Sequence, residues 1–258
     1  MVGISRIRAY YSVAMECTDA PIQRHAPLLL EGGREFTGRM EAADRAALKA
    51  AGRKPVTIVP AAAVPEDGQV QAGRNGVRWF KRLGAADVRS TGWVDRQSSL
   101  DAGIAAAVAA SGLVFLPGGS PRYLAEALRG SLVWEAMLSA QAAGAVIGGS
   151  SAGAMVLCEV YYDPSAAKVL PGLSLVPGIC ILPHHDTFGR AWAPQVAREA
   201  QGVLPVGIDE ETGMVNDGPA GSWTVYGKGV VTVYPADGPR AYRDGERLEL
   251  PSRSPQRR

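Results

Sequence analysis

The chain has 258 residues, 47% of them apolar and 20% charged, which suits one large domain or two small ones with a substantial core. A net charge of +2 gives no electrostatic case for nucleic acid or a membrane surface as the main partner, and no stretch reaches the roughly 18–20 uncharged apolar residues of a membrane span. Cys17, Cys158 and Cys180 lack metal-ligand spacing, and their odd number argues against a disulfide framework.

Residues 1–26 mix Arg6, Arg8, Glu16, Asp19 and Arg24 into their apolar positions, so no export signal is expected there. They read as a loosely ordered extension of a cytoplasmic protein, ahead of a single domain at 27–250. A disordered tail at 251–258 carries two prolines and three arginines.

From Leu28 the chain alternates strand and helix signals. Leu28–Leu30 reads as a buried strand that runs into Glu31-Gly32-Gly33, and 41–51 as a helix ended by Gly52. Val56–Val59 predicts a second strand, 66–83 a helix interrupted by Gly73 and Gly76, 87–91 a weak strand and 100–110 an Ala-rich helix. Leu113–Leu116 is the clearest strand in this half and leads into Pro117-Gly118-Gly119-Ser120. Two amphipathic helical segments follow. Strands separated by helices imply parallel pairing with helices on both faces, an α/β architecture whose active sites gather at the carboxyl ends of the strands.

The next strand, Ala145–Ile147, enters Gly148-Gly149-Ser150-Ser151-Ala152-Gly153-Ala154 and leaves through an apolar helix start. Gly149 to Gly153 fits G-x-S-x-G, the pattern of a nucleophile elbow that lifts a serine hydroxyl onto a sharp strand-to-helix turn. Ser151 is the expected nucleophile, and the Ala152 N–H, at the start of the following helix, an oxyanion donor. Gly119 has two readings. It is either a second oxyanion donor after a buried strand or only the bend that starts a helix.

A serine nucleophile needs a base. His25 falls in the extension, which leaves His184 or His185 in Leu182-Pro183-His184-His185-Asp186, after the strand-like run 179–182. Adjacent histidines at a strand end point to opposite faces, so a shared metal is disfavoured and only one can face Ser151. Further on, 191–201 reads as a packing helix. Asp209 and Glu210, after the strand signal 204–206, could bind a basic group of a substrate or simply cap a turn. Short stretches at 214–215, 223–226 and 230–234 read as antiparallel strands that extend the sheet edge.

Four motifs in order resemble the dipeptidase E and cyanophycinase family of serine peptidases: Leu-Pro-Gly-Gly at 116–119, Gly-Ser-Ser-Ala-Gly-Ala at 149–154, Pro-His-His-Asp at 183–186 and Gly-Ile-Asp-Glu-Glu-Thr at 207–212. The resemblance covers about residues 27–235. It implies a class I glutamine amidotransferase-like sandwich, with Ser151 as nucleophile, His184 rather than His185 as base and Gly119 as an oxyanion donor. It also implies cleavage of peptide or isopeptide bonds next to aspartyl residues, with no metal or organic cofactor. For the acid of the triad it points to the stretch after the elbow helix, where Asp163 in Tyr-Tyr-Asp-Pro is favoured over Glu159, with Asp186 as a third choice.

The chain departs from the family after Gly119, where Ser120, Pro121 and Arg122 replace the usual Asn or Asp-Gln. Ser120 and Arg122 are therefore expected substrate contacts, with His185, Asp209 and Glu210 completing the set. The expected partner is a small peptide or amide, with a homodimer as the one protein assembly considered. The rival readings are a small-amide hydrolase of the same fold and a catalytically silent binding protein.

Overall fold

The computed structural model describes residues 27–92, 95–218 and 222–251. The extension expected at 1–26 and positions 252–258 of the expected tail lie outside the described residues. The first half holds β1 (Leu28–Glu31), α1 (Glu41–Ala51), β2 (Val56–Ile58), α2 (Gln69–Arg82), β3 (Val88–Ser90) and α3 (Ala102–Ala109). It continues through β4 (Leu113–Leu116), α4 (Pro121–Leu128), α5 (Leu132–Ala142), β5 (Val146–Ser150) and the short α6 (Ala152–Leu157). The second half is richer in strands. It comprises β6 (Val160–Asp163), β7 (Lys168–Pro171), β8 (Ile179–Leu182), α7 (Ala193–Glu199), β9 (Leu204–Ile208), β10 (Thr212–Val215), β11 (Trp223–Gly227), β12 (Val231–Val233), β13 (Arg240–Tyr242) and β14 (Arg247–Leu248).

The main sheet runs β14-β11-β10-β1-β5-β4-β2-β3. Its five strands from β1 to β3 are parallel, and β10, β11 and β14 add antiparallel partners beyond β1. Successive side chains of a strand point to opposite faces, and here both faces are covered, which explains the unbroken apolar runs. Leu30, Val114, Leu116 and Ile147 pack with α3 to α6 and with the second sheet. Leu29, Leu113, Phe115 and Val146 pack with α1 and α2, where Phe115 sits 5.3 Å from Phe36 and 5.5 Å from Phe80 between ring centroids.

Several expectations are corrected. Only β10, β11 and β14 extend the main sheet, whereas β12 and β13 join β9 and β8 in a separate sheet of order β13-β12-β9-β8. Val160–Asp163, not among the expected strands, carries the aromatic and β-branched signal of one and pairs with β7 as a hairpin. The interrupted helix at 66–83 resolves into a 3-10 turn at Ala61–Glu66 followed by α2. Gly73 and Gly76 do not break α2 because they let it approach the sheet: a Cβ at 73 would lie 2.4 Å from Ser90 Oγ and one at 76 would lie 2.9 Å from Ile58. The packing helix expected at 191–201 is a 3-10 turn at Gly189–Trp192 and then α7.

The α1 side of the sheet contains an unusual pair. Glu31, at the end of β1, and Asp44, on α1, are both buried, and as two carboxylates they would leave Glu31 Oε1, Glu31 Oε2 and Asp44 Oδ1 without a donor. A proton on Glu31 supplies one. Burial, then the charges of Asp44 and Glu35, hold Glu31 well above the usual carboxylate range. Burial pushes Asp44 up to about 7, opposed in part by the Trp79 Nε1–H that it accepts at 2.7 Å.

An unfolded carboxyl titrates near 4, so the folded protein retains protons that the unfolded chain has already released, and the pair's contribution falls as pH rises from about 4 through about 7. Chemical denaturation of wild type and the double variant Glu31→Gln/Asp44→Asn across this range should show the variant gaining stability relative to wild type as pH rises. Parallel curves would mean that the pair holds no extra proton.

Candidate active site

The parallel register brings the ends of three neighbouring strands to one level, with Glu31 opposite Ser150 and Leu116 opposite Gly149. Beyond β5 the chain turns sharply at Ser151, which has φ 49 and ψ −115. This sparsely populated conformation is what a nucleophile elbow demands of its serine. The flanking glycines are needed for space. A Cβ at Gly149 would lie 2.5 Å from the Gly153 carbonyl carbon, and one at Gly153 would lie 2.0 Å from Leu116 O. Ala152 is the first residue of α6, where a backbone N–H has no intrahelical acceptor.

The turn after β4 stands against the elbow. Gly119 has φ 137, and any side chain there would strike Ala62 O. Its N–H has no hydrogen bond among the described residues, while Ser120 N–H donates to Ala62 O at 2.8 Å. Glu35 joins the two loops: Oε1 accepts from Gly118 N–H at 2.9 Å and Oε2 from the Ser150 hydroxyl at 3.0 Å.

Facing Ser151 is His184, just past β8. Its Nε2 lies 3.0 Å from Ser151 Oγ, and its Nδ1 lies 2.8 Å from Glu210 Oε1. With the ring proton on Nδ1 and directed at Glu210, Nε2 is free to accept from the serine hydroxyl. Glu210 is held in turn, since Oε2 pairs with Arg34 Nε at 2.9 Å and its backbone N–H donates to Asp186 Oδ1 at 2.9 Å. The parallel pairing of β8 with β9 carries both residues to one edge of the second sheet.

The end of β1 holds Ser151, His184 and the residue after Glu210. The carbonyls of Glu31, Gly32 and Gly33 accept in succession from the N–H groups of Ser151 at 3.0 Å, His184 at 2.7 Å and Glu211 at 3.1 Å. The two glycines admit this approach, because a Cβ on Gly32 would lie 2.1 Å from Asp209 O and one on Gly33 would lie 2.3 Å from His184 Cε1.

The remaining candidates lie elsewhere. Asp163 is fully buried, accepting from the Ser165 N–H at 3.0 Å and pairing with Arg122 Nε at 2.8 Å. The triad acid expected there is therefore corrected: the hairpin turns Asp163 toward α4, and Glu210 is the carboxylate on His184. Glu159 braces a loop by accepting from Gly178 N–H at 2.7 Å. His185 and Asp209 are corrected as substrate contacts. They point away from the cleft and pair at 3.3 Å, His185 Nε2 meets Tyr234 Oη at 2.7 Å, and Asp209 Oδ2 accepts from Val230 N–H at 2.9 Å. Ser120 uses its hydroxyl to cap α4, accepting from Tyr123 N–H at 3.3 Å. Arg122 stays about half exposed beside Asp163.

Arg34, Glu35 and the contact of Glu210 with His184 had no sequence signal of their own. An acid placed after a strand that could pair with the histidine-bearing strand is the one hint that was available. Cys158 and Cys180 are free and buried, and burial raises both thiols, Cys180 to about 12, so neither competes with Ser151 as a nucleophile. Among the described residues no cluster of His, Cys, Asp and Glu has the arrangement to hold a metal ion, and no helix is long and apolar enough to cross a membrane.

No curated protein matches this sequence. Two solved structures share the fold. A peptidase from an acI-B1 Actinobacterium superposes with a TM-score of 0.77 at 22% identity, over 88% of this chain and 99% of that one. A putative peptidase E protein from Listeria monocytogenes EGD-e gives 0.59 at 18% identity, over 78% and 98%. The profile of peptidase family S51 matches residues 28–219. The chain therefore belongs to peptidase family S51 and is a serine-type peptidase.

Proposed function

We propose that the protein cleaves a peptide or isopeptide bond through an acyl-enzyme, with Ser151 as nucleophile, His184 as general base and Glu210 as the acid that orients it. The observation that carries this reading is the continuous chain from Ser151 Oγ through both nitrogens of His184 to Glu210 Oε1, at 3.0 Å and 2.8 Å. His184 Nε2 removes the serine proton as Oγ attacks the carbonyl, and Glu210 stabilises the imidazolium that forms. The N–H groups of Gly119 and Ala152 receive the developing oxyanion. The imidazolium then protonates the leaving amine, and water resolves the ester by the reverse path.

The proposed substrate is a small peptide with an aspartyl residue at the cut bond, supported by the family motifs at 116–119, 149–154, 183–186 and 207–212. Arg122, about half exposed on the first turn after Gly119 and held by Asp163, is the cation proposed to meet an aspartyl carboxylate.

Fluorophosphonate labelling should modify Ser151 in the wild type and be lost in Ser151→Ala and His184→Ala. An unlabelled but folded wild type would overturn the assignment. Glu210→Gln should lower kcat by about 10³–10⁴, because a neutral amide no longer fixes the tautomer, whereas Asp163→Asn should lower thermal stability and leave a far smaller change in kcat. Steady-state kinetics on β-Asp-Arg and N-terminal aspartyl dipeptides read both variants, and an equal kcat loss in the two would return the acid role to doubt. Gly33→Ala inserts a methyl where the His184 ring passes, so kcat should fall about 10²-fold with the protein still folded. Retained activity would show that the ring has room to move.

A further inference from the structure

Phe188 is a large apolar side chain left 51% exposed in the least expected place. Its ring stacks on the His184 imidazole, with centroids 4.9 Å apart and planes at 26°. Behind it the row continues: Phe188 meets Trp192 at 5.4 Å, and Trp192 stacks on Tyr162 at 4.8 Å. Tyr162 is buried and anchors the row in the core. The sequence alone had absorbed Trp192 into a packing helix and drew no attention to Phe188.

The chemistry of the site says what reaches this row. An imidazole that takes the serine proton must return it to the leaving nitrogen, so that nitrogen sits within hydrogen-bond reach of His184 Nε2. The residue that bears the leaving amine therefore extends past the edge of the imidazole, over the ring stacked on it. About half of Phe188 stays exposed beside the imidazole, and covering it with apolar surface is favourable.

We propose that Phe188, backed by Trp192, is the wall of the leaving-group subsite and selects a residue with an apolar or aromatic side chain. The proposal rests on the acyl-enzyme reading above. If Phe188 served only to steady the imidazole, its loss would slow every substrate alike, so the test is a ratio between acceptors in which common losses cancel.

The Ser151 acyl-enzyme is formed from a p-nitrophenyl ester, whose nitrophenolate reports acylation, and is offered glycinamide, leucinamide or phenylalaninamide at equal concentration. The incoming amine occupies the leaving-group site and attacks the ester carbonyl. His184 accepts its proton and delivers it to Ser151 Oγ as the acyl C–O bond breaks, giving the new amide and free serine. Wild type should partition to phenylalaninamide about tenfold over glycinamide, Phe188→Ala should bring the ratio near one, and Phe188→Leu should fall between. Equal partitioning in wild type, a preference that survives Phe188→Ala, or an acyl-enzyme resolved by water alone would each overturn the proposal. If Phe188→Ala does not fold, wild type and Phe188→Leu decide it. Absence of both nitrophenolate release and fluorophosphonate labelling in wild type would instead overturn the acyl-enzyme reading, and this subsite with it.

Discussion

Three successive carbonyls at the end of β1 hold the site together. Glu31, Gly32 and Gly33 accept from the backbones of Ser151, His184 and Glu211, which come from different loops and two different sheets. Backbone hydrogen bonds fix these loops independently of side-chain rotamers, and catalysis is sensitive to displacements of an ångström or less. Together with the Ser151–His184 hydrogen bond and the Arg34–Glu210 ion pair, this clamp ties the end of the second sheet to the carboxyl end of the first.

Two of the strained backbone positions lie at the clamp. Ser151 and His184 both lie at positive φ, at 49 and 48, and neither is a glycine. Such conformations persist only where the surroundings over-determine them, and both residues are pinned by a carbonyl of the same short segment. The glycines that crowd the site are there because backbone or an imidazole ring occupies the space a side chain would need.

Acidic groups are sorted by their partners. Glu210 is matched by Arg34 and Asp163 by Arg122. Glu35 is held by the Gly118 N–H and the Ser150 hydroxyl and spans the two loops that offer the proposed oxyanion donors. Among the described residues Glu31 and Asp44, in the layer beneath, have no basic partner, and burial raises both above the usual carboxylate range. A neutral carboxyl at the root of the elbow adds no charge close to where the proposed reaction develops a negative one.

The parallel half of the fold was legible in the sequence because its signals are local: apolar runs that break at glycine, Ala-rich amphipathic helices and a G-x-S-x-G turn each specify their own conformation. The pairing of Ser151 with His184 was readable for a related reason, since few histidines exist and adjacent ones must face opposite ways. The carboxylate on His184 was not legible. Acids are plentiful in any loop, and what distinguishes Glu210 from Asp163 is that β8 and β9 pair in parallel while β6 folds back on β7, a choice made by long-range packing. Asp209, one position before Glu210 in sequence, is likewise turned into the core, where it meets His185 and the Val230 N–H. Residue type and spacing thus determined which chemistry the chain could perform. Only the tertiary structure decided which acid and which histidine come together beside the serine, because each depends on contacts between segments far apart in sequence.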